Sequence, residues 1–108
     1  MAFRFEDLEI WRLAIEYATR IYDFLDRFPQ NENFGLSQQI RRAAVSVSLN
    51  IAEGSGRSSN RDFSRFLNMS VGSIFEVVSG FMIALKREYV SELEYDQVQE
   101  SLRFCARR

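Results

Sequence analysis

The chain of 108 residues has no histidine, one cysteine and one proline. Without an imidazole base, Ser-His and Cys-His nucleophilic catalysis is excluded. The Glu-x-x-His element with which di-iron bundles hold their metal is absent too. The sequence is therefore read as non-enzymatic, with no metal and no cofactor expected. The single cysteine, Cys105, allows no intrachain disulfide, which fits a reducing cytoplasm. It falls on an apolar stripe near the end of the chain and is expected to fill the core. No apolar run approaches the roughly 20 residues of a membrane span. The start, MAFRFEDLEIW, lacks the basic region followed by an apolar stretch that marks a secretory signal. Neither a membrane partner nor export is expected.

What the chain does have is 46% apolar and 27% charged residues, enough to bury one core and too apolar for disorder. Its net charge of -1 hides a gradient: residues 1–35 carry seven acids against four arginines, and residues 36–65 carry five arginines against Glu53 and Asp62. Thirteen of the fourteen basic residues are arginine, the side chain suited to bidentate carboxylate or phosphate contacts.

The apolar period is helical almost throughout. From Asp7 to Arg27, polar residues occupy about one third of the circle. Leu8, Ile10, Trp11, Leu13, Ala14, Ile15, Tyr17, Ala18, Ile21, Tyr22, Phe24 and Leu25 cover roughly 200°, about twice what one core contact needs. That surplus predicts a second buried contact. The loop FPQNENFG, with Pro29 and Gly35, ends this helix. VSVSLNI then alternates like a strand. Over a longer window, however, Leu36, Ile40, Ala43, Val47 and Ile51 recur at helical spacing, so a helix is predicted over 36–53 with Gly54 as its stop. Val45, Leu49 and Ala52 form a smaller apolar surplus on its far side.

Ser59-Asn60-Arg61-Asp62 reads as a capping box that starts a third helix over 60–87. Its expected core stripe is Phe63, Leu67, Val71, Ile74, Val78, Phe81 and Leu85. Gly72 and Gly80 each cost this helix about 1 kcal/mol relative to alanine, which suggests close approach of a neighbouring helix beside Ser73. Ser91-Glu92-Leu93-Glu94 is a second capping box, opening a helix over 92–106 that buries Val98, Leu102 and Cys105. Four amphipathic helices, about 7–27, 36–53, 60–87 and 92–106, with short connections make an all-α, antiparallel up-and-down four-helix bundle in a single domain.

Several segments carry a resemblance over nearly the whole chain, in order: FEDLEIW, the FP that closes the first helix, ENFGL, QIRRAAVS, NIAEGSGR and FSRFLNMSVGSIFE. They resemble the four-helix-bundle family associated with intervening sequences of bacterial 23S ribosomal RNA genes. Ser48 and Leu49 stand where many relatives carry proline and a small residue. The resemblance implies an all-α bundle in the bacterial cytoplasm that assembles into a ring, commonly a homopentamer. More distantly, it is similar to a basic pentameric bundle that binds a reverse transcriptase and nucleic acid.

The stretch NIAEGSGRSSNRDF sets two glycines before a new helix. It lacks the lysine and spacing of a Walker loop, and no strand precedes it, so nucleotide hydrolysis is not expected. A helix start flanked by arginines can hold an anion. Arg57, Arg61 and Arg65 lie at four-residue spacing there, and with Arg41 and Arg42 they are the candidate nucleic-acid contacts. The plainer alternative has these arginines solvating the face or bridging to acids and neighbouring subunits. Asn50, Glu53 and Glu76 are expected to face inward as a polar network between the second and third helices, with the acids paired to Arg42 or Arg57, rather than as an acid/base pair. Two functions follow: a homo-oligomer that holds RNA or DNA on an arginine-rich surface, or a homo-oligomeric scaffold that binds a partner protein. The acidic pI of about 5.5 weighs against the first.

Overall fold

The structure, a computed structural model, describes the backbone of residues 3–106 and the side chains as far as Ser101. The places expected for Leu102 and Cys105 lie outside the described side chains. Four helices account for the fold: α1 (Glu9–Leu25), α2 (Leu36–Ser55), α3 (Asn60–Lys86) and α4 (Glu92–Ala106). A 3-10 turn, Arg4–Asp7, precedes α1, and another, Gln30–Glu32, lies in the α1–α2 connection. Each helix packs against its predecessor and α4 returns to α1, so the order around the bundle is α1, α2, α3, α4. At about 1.5 Å per residue α3 is roughly 40 Å long. That matches the 44 Å long axis of the molecule.

The helix period explains which faces close. From α1 come Ala14, Tyr17, Ile21 and Leu25; from α2, Ile40, Ala43, Ala44, Val47 and Ile51; from α3, Ile74, Val77, Phe81 and Ala84; from α4, Tyr95 and Val98. Phe81 sits among aromatics, edge-on to Phe24 and Phe28 with ring centroids 5.9 and 5.8 Å away. The second buried contact predicted from the wide arc of α1 is not made within the chain. Ile15 and Tyr22 each remain 40% exposed.

The expected stripe of α3 is rotated in the structure. Its buried line runs Phe66, Ser70, Ser73, Val77, Gly80 and Ala84, with Ile74 and Phe81 beside it. Phe63, Leu67, Val71, Val78 and Leu85 are half-buried at the flank. Small residues draw α2 and α3 together. Ser70 Oγ donates to the Val47 carbonyl at 2.9 Å, and Ser73 Oγ donates to Ser46 Oγ at 3.0 Å. A hydroxyl that reaches a neighbouring helix allows a close approach that a large side chain would prevent.

The glycines differ from expectation for the same reason. Gly54 does not stop α2, which runs to Ser55 and ends at Gly56 with φ -84°. Gly54 is instead a contact residue, because a β-carbon there would stand 2.6 Å from Phe66 Cβ. Gly80 does have a packing reason. Gly72 has none among the described residues: a β-carbon on it meets none of them within 4 Å.

The helix ends are closed in three ways. Ser59 Oγ accepts from the Asp62 N–H at 3.1 Å. Ser91 and Glu94 make both bonds of a capping box, at 2.9 and 3.1 Å. At the end of α3 the N–H groups of Glu88 and Tyr89 donate back to Leu85 and Ala84, with Glu88 at φ 63°, which is a Schellman closure. The starts of α1 and α2 have no side-chain cap at Leu8 and Gly35. At α2 Glu32 serves instead, one oxygen accepting from the Leu36 N–H at 3.2 Å and the other from Tyr89 Oη at 2.9 Å. That carboxylate joins the α1–α2 and α3–α4 connections.

Candidate arginine cluster at the α2–α3 turn

The turn between α2 and α3 is built by Gly56 N–H donating to Glu53, Arg57 N–H donating to Gly54, and Ser59 capping α3. This geometry throws Arg57 back over the end of α2, where it pairs with Glu53 at 2.5 Å. Arg57 and Arg65 each lie 4.8 Å from the centroid of the Phe66 ring. The ring is 8% exposed, so both cations rest on a fixed apolar plate. Arg65 also approaches Asp62 at 3.8 Å, and Arg61 is exposed. A fourth arginine, not singled out from the sequence, joins them: Arg4 Nη1 donates to the Ser55 carbonyl at 3.5 Å. Only tertiary folding brings it there, from 51 residues away.

Arg41 and Arg42 do not belong to this cluster. They precede Arg57 by about a dozen helical residues and lie roughly 20 Å away along the axis. Arg41 lies 5.5 Å from the Tyr22 ring centroid, bridging α2 to α1, and Arg42 is exposed. The five candidate arginines are therefore split between two places. Around the cluster, Arg4, Arg12, Arg57, Arg61 and Arg65 stand with Glu6, Asp7, Glu9, Glu53 and Asp62, so the end of the bundle carries little net charge.

The expected polar network is present in part. Asn50 Nδ2 donates to Ser46 O and Ser46 Oγ, both at 3.0 Å, and Ser46 Oγ also accepts from Ser73. Asn50 thus reaches α3 through Ser46. Glu53 and Glu76 do not take part. The Glu53 side chain is 58% exposed and its pair with Arg57 is local. Glu76 is exposed and has no ion pair among the described residues. Glu76 is three positions from Ser73, only about 60° around the helix, and it stands at the exposed rim of the α2–α3 groove beside Leu36 and Gln39 without joining the serine network. Ser73 was expected at a close helix approach and Ser46 shares a polar stripe with Asn50, but neither was placed in the network; Ser70 was not singled out, and small size on the packed line was its signal.

Among the described residues no group of three or more possible metal ligands comes together. One depression, of about 510 Å³, is an open trough between α1 and α4 that includes Arg20, Arg27, Glu100 and Ser101. Its arginines are engaged: Arg20 Nη1 donates to Ser101 Oγ at 3.0 Å, and Arg27 pairs with Glu94 at 2.5 Å. What the molecule leaves open is apolar. Phe34 is 92% exposed, Leu93 67%, Phe75 64% and Leu49 61%.

A closed ring of four antiparallel helices held by short turns places the protein among the small up-and-down helical bundles. Residues 6–108 match the family described as 23S rRNA-intervening sequence protein, and the chain belongs to that family. Among solved structures it is similar to a protein of unknown function from the S23 ribosomal protein family of Bacteroides thetaiotaomicron VPI-5482. The two share 23% identity over 90% of this chain and 92% of the other, with a TM-score of 0.80. A search of curated proteins finds no match.

Proposed function

We propose that the protein is a non-enzymatic, homo-oligomeric helical scaffold. The observation that carries this reading is the set of large apolar side chains left outside the core, Phe34, Leu49, Phe75 and Leu93 foremost. Each is more than 60% exposed, and large apolar side chains left in water at several places on so small a domain supply surface that a second copy can cover. The arc of α1 left 40% exposed at Ile15 and Tyr22 adds to it. The reading is tested by sedimentation equilibrium or light scattering across micromolar concentrations. Masses that are multiples of 12.7 kDa are expected. A single 12.7 kDa species at every concentration removes the proposal.

One observation favours a second role, in binding RNA or DNA. Arg57 and Arg65 are held on Phe66 beside the exposed Arg61 at the start of a helix, a geometry that accepts a backbone phosphate. Repetition in an oligomer would multiply a weak contact into a useful one. Binding to unrelated RNA should then weaken steeply with salt and be lost in the triple variant Arg57→Glu, Arg61→Glu, Arg65→Glu while assembly persists. Equal binding by that variant removes this role and leaves the scaffold.

A further inference from the structure

At the end of the bundle that carries the arginine cluster, the first described residues form a strap against α1 and α2. Phe3 N–H donates to a Glu6 carboxylate oxygen at 2.8 Å, Arg12 Nε donates to the Glu6 carbonyl at 2.9 Å, and Arg4 reaches the Ser55 carbonyl. The strap sets three aromatic rings in a row. Phe5 lies edge-on to Trp11 with centroids 5.1 Å apart, and Phe3 stacks on Phe5 at 5.7 Å and 13°. Trp11 and Phe5 are half-buried, whereas Phe3 is 63% exposed, so the row leads out from the fold and ends on a ring open to water. Beside it lies an open groove of about 590 Å³, lined by Phe5, Leu49, Asn50, Ala52 and Glu53. Leu49 is 61% exposed, and Glu53 at the rim is the acid that holds Arg57.

Resting on the nucleic-acid reading of the arginine cluster, we propose that this end of the bundle takes a single strand with unpaired bases. A base stacks on Phe3, the strand follows the groove between Phe5 and Leu49, and its phosphates go to Arg4 and Arg57. Glu53 competes with the phosphate for Arg57.

Two features favour a single strand over a duplex. Acids offset the arginines around the cluster, so attraction to phosphate alone is weak there, and the overall pI of about 5.5 adds nothing to it. Stacking on an aromatic ring supplies what charge does not, and it needs no particular sequence because every base has a flat face. A duplex keeps those faces covered by its own neighbours and offers the groove only sugar and phosphate. The apolar floor at Leu49 and Ala52 then has no counterpart, whereas a splayed base covers it. Ring and cation are also supplied by adjacent residues, Phe3 and Arg4, on one short strap, the separation at which a base and its own phosphate follow one another.

Fluorescence anisotropy on the full chain tests this with a labelled oligouridine of about 12 nucleotides and a duplex RNA of the same length. The wild type should bind the single strand about tenfold more tightly than the duplex. Phe3→Ala removes an exposed side chain, so its thermal midpoint should hold while single-strand binding falls about fivefold or more and duplex binding does not move. Phe3→Trp should keep the wild-type affinity. Glu53→Gln frees Arg57 and should tighten the single strand by about two- to fivefold, a gain that damage to the fold does not give. If the variant with glutamate at positions 57, 61 and 65 loses binding but Phe3→Ala does not, or if the duplex binds as tightly as the single strand, the base contact is wrong while the phosphate site stands. No binding by the wild type, or full binding by the triple variant, removes both. Unchanged or weaker binding by Glu53→Gln overturns its part as the competing acid. Displacement of the oligouridine by an equal concentration of uridine monophosphate also overturns the strand, since a mononucleotide then fills the site.

Discussion

Gly80 on α3 faces Ile40 on α2 so closely that a β-carbon on the glycine would stand 2.5 Å from Ile40 Cγ1. Neither side can yield cheaply, because Ile40 is 1% exposed and locked in the core. Gly80→Ala should therefore destabilise the fold by about 1–3 kcal/mol despite the gain in helix propensity. Gly72→Ala, on the same helix with open space around it, should stabilise by about 0.4–1 kcal/mol. Urea melts of the two variants, read at protein concentrations too low for assembly, check the opposite signs.

The buried serines should divide in the same way. Ser70→Ala removes the donor to the Val47 carbonyl and should cost about 1 kcal/mol. The Ser37 hydroxyl is 1% exposed and has no hydrogen-bond partner among the described residues. Ser37→Ala removes an unsatisfied group and should be neutral or stabilising by up to about 1 kcal/mol. Equal losses in both variants, measured by denaturant unfolding, would refute the distinction.

Glu32 should make the fold acid-sensitive. Its bond from the Leu36 N–H, then that from the Tyr89 hydroxyl and the charge of Arg87, hold its carboxyl below the ordinary value of 4.5. The folded pKa is depressed, so the stabilisation is complete above pH 4.5 and is lost as pH falls through the lower folded value. Glu94 acts in the same direction, held down by the Ser91 N–H and by Arg27. In Glu32→Gln the amide oxygen can still cap α2, but the charge is gone. The stability difference between wild type and variant should shrink as pH falls from about 6 to about 3 in thermal melts. A difference that stays constant over that range contradicts the assignment.

Glu88 occupies the left-handed position that closes α3, at φ 63°. Such a conformation costs a residue with a β-carbon about 1–2 kcal/mol, and glycine essentially nothing. Glu88→Gly should gain about 1 kcal/mol, a rise of roughly 4–8 °C in midpoint for a domain of this size. A fall in midpoint would mean that the Glu88 side chain contributes more than its backbone costs.

The helices were legible because each keeps an apolar period, and α3 and α4 also open on capping sequences. Expected ends at 53 and 87 became Ser55 and Lys86, and the other segments fell as close. What the pattern missed was the direction of closest approach. Counting Phe63, Leu67 and Val71 as core assumes that the largest side chains mark the contact, whereas α2 and α3 meet through Ser70, Ser73, Gly54 and Gly80, which carry almost no hydropathy signal. Gly54 looked like a stop because a glycine after an apolar run usually is one. In the arginine cluster, Arg57, Arg61 and Arg65 were found by spacing. Arg4 could not be, and Glu53 was misplaced because a polar stripe on one helix does not reveal how far along it the neighbour reaches.

The small-residue seam between α2 and α3 also bears on how the chain finds its fold. Gly54 meets Phe66, twelve residues on, and Ile40 meets Gly80, forty residues on, with Val47 and Ser70 between them. Each contact shortens the loop that the next must close, so the hairpin can zip outward from the turn at little entropic cost per step. Local pairing of this kind favours rapid folding, with α2 and α3 as the early nucleus and α1 and α4 joining afterwards. In native-state exchange, the amides of Val47 and Ser70 should be among the last to open, and those of α4 among the first.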